Sequence, residues 1–138
     1  MNLNLWRQKG RISIWRYEPL NKNFPGWHLS ADKVGYESLL ELLNLLELSP
    51  FGSKRTLKLV KPDICLASSM LKKTPEQKIL ITLSDLGAHW QLKAGRDKLL
   101  FNIGVQKISI LKAGIMDAIN GEYDFSVGAI NGQNIWFW

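Results

Sequence analysis

The sequence predicts an α+β fold: two helices packed on mainly antiparallel sheet built from three hairpins plus two further strands. Within residues 31–48 and 104–120, apolar residues recur at helical spacing. The flanking segments alternate apolar and polar residues with a period of two. Lys9-Gly10, Ala94-Gly95-Arg96-Asp97 and Asn131-Gly132 interrupt that alternation where turns belong. At 138 residues and 46% hydrophobic content, the chain reads as one domain over 1–138, able to bury a core without cross-links.

The opening reads as a hairpin of residues 2–8 against 11–17. Leu5 then faces Ile14 and Arg7 faces Ile12, with Leu3 on the same side. If that Leu/Ile side is core, Trp6, Arg11, Trp15 and Tyr17 point outward. Residues 18–27 form a loop marked by Pro19, Asn21, Asn23 and Pro25-Gly26.

Ser30 or Asp32 can cap the first helix, whose stripe is Val34, Leu39, Leu42, Leu43 and Leu46. Gly35 weakens its first turn, so regular helix is expected from about Tyr36 until Ser49-Pro50. Strands are expected at 55–60 and 78–83, with 61–77 the least patterned stretch. A second hairpin joins 89–93 to 98–103, pairing Trp90 with Phe101 and Leu92 with Leu99.

The second helix follows Val105, Ile108, Leu111, Ile115 and Ile119 and stops at Asn120-Gly121. The last hairpin joins 122–130 to 133–138 and pairs Phe125 with Trp138 and Val127 with Trp136. Each half thus reads hairpin, helix, strands, which admits an internal ββαββ duplication.

Catalytic motifs are scarce. His28 and His89 are the only histidines, each four residues from an aspartate, Asp32 and Asp85. A His–Asp pair could serve as a general base, but no nucleophile accompanies it. Ser69 and Lys72 match a Ser-x-x-Lys spacing without its companion motifs. No glycine-rich phosphate loop and no metal-ligand spacing is present, so no cofactor and no metal are expected.

Cys65 stands alone. It excludes an internal disulfide, reads as a small buried hydrophobe and suits a reducing compartment. The first residues lack the charged-then-apolar pattern of a signal peptide. Residues 39–48 are too short and too charged to cross a bilayer. A cytoplasmic protein that does not engage membranes is expected.

The net charge is +6, with Lys54, Arg55, Lys58, Lys61, Lys72 and Lys73 gathered in 54–73. A basic stretch attracts acidic partners or phosphates. Six tryptophans are many for this length. Trp90, Trp136 and Trp138 have core positions in the hairpins; Trp6, Trp15 and Trp27 are less easily hidden. The candidate binding residues are therefore Trp6, Arg11, Trp15, Tyr17, Trp27, Lys54, Arg55 and Lys58.

These features point to a non-enzymatic interaction protein that acts on a protein partner or as a homodimer. Small bacterial partner proteins that neutralise toxins offer an analogy. A nucleic-acid binder using 54–73 and the first hairpin is the alternative. An enzyme built on His28 or His89 is a third.

Overall fold

The computed structural model describes residues 2–16, 26–61, 77–123, 125–128 and 133–138. It has the α+β architecture. The strands are β1 (Ile12–Trp15), β2 (Trp27–Ala31), β3 (Lys54–Lys58), β4 (Lys78–Leu83), β5 (Trp90–Ala94), β6 (Leu99–Ile103), β7 (Phe125–Val127) and β8 (Ile135–Phe137). Helix α1 (Lys33–Glu47) follows β2, and α2 (Val105–Ile119) follows β6. The strands form two four-stranded mixed sheets, ordered β1-β2-β8-β7 and β3-β4-β6-β5. In each, a central parallel pair is flanked by antiparallel neighbours.

The element order is ββαββ, twice, and each sheet takes one hairpin from each half. From Trp27 to Leu99 and from Lys33 to Val105 the offset is the same 72 residues. Burial follows it: Tyr36, Leu39, Leu42, Leu43 and Leu46 of α1 correspond to Ile108, Leu111, Gly114, Ile115 and Ala118 of α2, and all ten are buried. One stripe at helical spacing thus recurs on each helix, and the buried apolar side chains of both sheets and both helices, Trp15 apart, form one cluster.

α1 starts at Lys33, earlier than Gly35 suggests. The Asp32 carboxylate caps it, accepting from Gly35 N at 2.7 Å and from Arg11 N at 3.0 Å. Gly35 is there for packing, because a β-carbon would collide with the Arg11 carbonyl oxygen. α2 has Gly104 at its cap position and no side-chain cap; Gly87 O accepts from Gln106 N instead.

The expected first hairpin does not form. Leu3–Leu5 make a short 3-10 turn, Leu5 is exposed, and β1 pairs with β2 instead. Gly10 does take a positive φ, 75°, but it brings the chain against the start of α1 rather than into a hairpin.

In the second hairpin Trp90 pairs with Ile103 and Leu92 with Phe101, two residues from the expected register. A shift of two leaves every side chain on its expected face. In the last, Phe125 pairs with Phe137 and Val127 with Ile135, a shift of one. That turns Phe137 and Ile135 into the core and Trp136 to the other face, leaving Trp136 and Trp138 only half-buried. The expected Asn131-Gly132 turn, residues 17–25, Cys65, Ser69 and Lys72 lie outside the described residues; of the loop expected over 18–27, Trp27 instead begins β2.

Candidate binding surface

Among the described residues, the rings expected on an aromatic surface are buried: Trp6 and Trp27 join the core, and Trp15 packs beside His28 on the opposite face of β1 from Ile12 and Ile14. Trp6, Trp15 and Trp27 are each 1% exposed. The Trp6 indole N–H donates to Ser38 O in α1 at 3.1 Å, and the Arg55 guanidinium lies over its ring, 5.4 Å from the centroid. Arg55 also donates to Leu3 O and Trp6 O, at 2.6 and 3.1 Å. It sits on the core side of β3 with Leu57 and clamps the N-terminal segment. Arg16 covers Trp27 at 4.9 Å. The indole nitrogens of Trp15 and Trp27 are buried with no hydrogen-bond partner among the described residues. Arg11 is exposed, and Tyr17 lies outside the described residues.

Both histidines contact neighbouring side chains. His28, fully buried in β2, stacks between Trp15 and Trp138 at 5.5 and 5.8 Å. Its Nδ1 accepts from the Trp138 indole at 2.7 Å. Four residues of extended strand span about 13 Å, so His28 and Asp32 stand apart. His89 Nδ1 meets Ser84 Oγ at 2.7 Å, and that oxygen also accepts from Leu86 N, so the pair holds a turn. Among the described residues no group of three or more His, Cys, Asp or Glu could hold a metal. No helix among them is long and apolar enough to cross a membrane.

Two concavities among the described residues are modest. Where sheets and helices meet, a wholly apolar cavity of about 20 Å³ has room for little more than one water. A groove of about 230 Å³ runs beside α1, with Arg7 and Lys9 facing Glu37 and Glu41. Its bases and acids offset one another.

The outer face of the second sheet is different. Alternation turns Leu57, Ile79, Ile81, Leu83, Phe101 and Ile103 inward. The opposite positions form rows across the strands. One is Lys54, Thr82, Asn102 and Gln91; the next is Thr56, Leu80, Leu100 and Lys93; Lys58 and Lys78 begin a third. All four of these lysines are exposed, and Leu80 and Leu100, paired on the central strands, are half-buried. The four strands, all described, contain no Asp or Glu.

Lys54 and Lys58 thus keep their place on a candidate surface, while Arg55 leaves it. Lys78 and Lys93 join, although neither was evident beforehand. Period-two alternation in Lys54-Arg55-Thr56-Leu57-Lys58 already separates Arg55 from the two lysines. Of the basic stretch 54–73, residues 62–73 lie outside the described residues.

Backbone access to this sheet is restricted at both edges. The Gln8 side chain binds β3 at Lys58 like an extra strand residue, donating to its carbonyl and accepting from its N–H, both at 2.8 Å. At β5, Gln133 Oε1 accepts from Leu92 N at 2.8 Å and Gln133 O accepts from the Trp90 indole.

Compared with known proteins, the chain matches no family model, and no curated protein or solved structure matches it either.

Proposed function

We propose that this chain is a non-enzymatic binding protein that meets a protein partner through the outer face of its second sheet. The carrying observation is the composition of that face: the Leu80–Leu100 pair at the centre, with Lys54, Lys58, Lys78 and Lys93 around it. An apolar centre inside a polar rim is the usual anatomy of a protein interface. The nucleic-acid alternative joined residues 54–73 to the rings of the first hairpin for base stacking, and Trp6 and Trp15 are buried. Every outer position named above is non-aromatic.

Photo-cross-linking tests the reading. A photoreactive amino acid is placed at Leu80 and, in a second variant, at Ala113 on the exposed side of α2. Each is irradiated in an extract of cells that make the protein. A protein adduct formed from position 80 and not from 113 is expected. Adducts only from 113, or from neither, contradict the reading.

A further inference from the structure

We propose that the lysine face of the second sheet recognises carboxylates, so that its partner presents an acidic polypeptide surface. This rests on the reading of that face as the partner surface and names the chemistry the partner brings.

The argument begins with Lys58 and Lys78. They are direct cross-strand partners in an antiparallel ladder. Like charges facing each other this way disfavour the pairing. No acidic residue on any strand of the sheet offsets them, and both are exposed. Carboxylates from outside would turn this repulsion into attraction.

Lys54 and Lys93 extend the positive charge to both outer strands, so it spans the sheet from β3 to β5. Exposed carboxylates lie elsewhere, including Glu37, Glu41 and Asp117 on the helices and Asp85 and Asp97 in the turns beside the sheet.

Two features narrow the partner, and the second favours a polypeptide over a nucleic acid. Strand-like addition is hindered where Gln8 and Gln133 occupy backbone groups of β3 and β5, so the face is read through side chains. Those side chains are ammonium groups around paired leucines, without rings for bases. Acidic side chains can meet the rim while apolar ones cover Leu80 and Leu100.

The test measures binding of the whole protein to poly-L-glutamate, to a single-stranded oligonucleotide and to a DNA duplex, at several salt concentrations. One variant carries Lys54→Gln, Lys58→Gln, Lys78→Gln and Lys93→Gln. A control loses the same net charge elsewhere, through Lys9→Gln, Arg11→Gln, Lys33→Gln and Arg96→Gln. Circular dichroism verifies that both fold, and single Lys58→Gln and Lys78→Gln variants replace the quadruple one if it does not.

Poly-L-glutamate should bind and weaken as salt rises. The face variant should lose about tenfold or more in affinity while the control stays within about threefold. Equal loss in both variants, no binding of poly-L-glutamate, or tighter binding of either nucleic acid at the same salt overturns the proposal. A cross-link from position 80 alongside any of these leaves the binding surface standing without its acidic partner.

Discussion

Arg55 lies across the indole of Trp6 and donates to that residue's own carbonyl oxygen at 3.1 Å. Two residues that looked available for a ligand are in contact with each other, closing the N-terminal segment over α1. Trp6→Ala should cost about 3–5 kcal/mol in denaturant unfolding. Conservative changes separate packing from hydrogen bonding. Trp6→Phe loses the bond to Ser38 O, whereas Trp15→Phe removes an indole N–H that has no partner among the described residues. Trp6→Phe should be the more destabilising by about 1–2 kcal/mol.

The glutamine at the edge of β3 gives a local test. Gln8→Ala removes both hydrogen bonds to Lys58. The cost should be about 1 kcal/mol, because solvent can replace them at an exposed edge. Amide hydrogen exchange should accelerate at Lys58 and stay unchanged at Leu92, which Gln133 holds.

Gly35 tests packing against propensity. In a free helix, Gly to Ala is worth about 1 kcal/mol of stability. Here the added methyl meets the Arg11 carbonyl oxygen at the point where Asp32 ties α1 to the chain before β1. Gly35→Ala should therefore lower the melting temperature despite the gain in propensity.

Tyr36 sets an alkaline limit. Its hydroxyl donates to Trp138 O at 2.9 Å, and burial pushes its ionisation well above the usual phenol range. The folded state therefore holds the proton more tightly than the unfolded state does. The contribution is complete below the ordinary value of about 10 and is lost as pH rises beyond it. Tyr36→Phe should lower stability at neutral pH by about 1 kcal/mol. It should also flatten the decline above pH 10, as followed by urea midpoints.

Much of this arrangement was legible in the chain. Both helices, β4 and the inward face of β5 and β6 follow directly from periodicity. The first hairpin was not legible, because Leu3 and Leu5 alternate as a strand would while the true partner of β1 lies across residues 17–25. Local alternation names strands, not their neighbours. The last hairpin shows how sharp this limit is: a one-residue difference in register exchanged Phe137 for Trp138 opposite Phe125. The lysine face was half visible. Lys54 and Lys58 stand out in sequence, but Lys78 and Lys93 reach the same surface only through β3–β4 pairing and the β4–β6–β5 order, which are non-local.

The most direct measurement is a nuclear magnetic resonance titration of the isotopically labelled protein with poly-L-glutamate, following backbone amides and lysine side chains. Shifts concentrated at Lys54, Lys58, Lys78, Lys93 and the Leu80–Leu100 pair, and reversed by added salt, are the expected result. Shifts centred on the exposed sides of α1 and α2, or spread evenly over every lysine of the chain, would contradict the assignment of that sheet face as the binding surface.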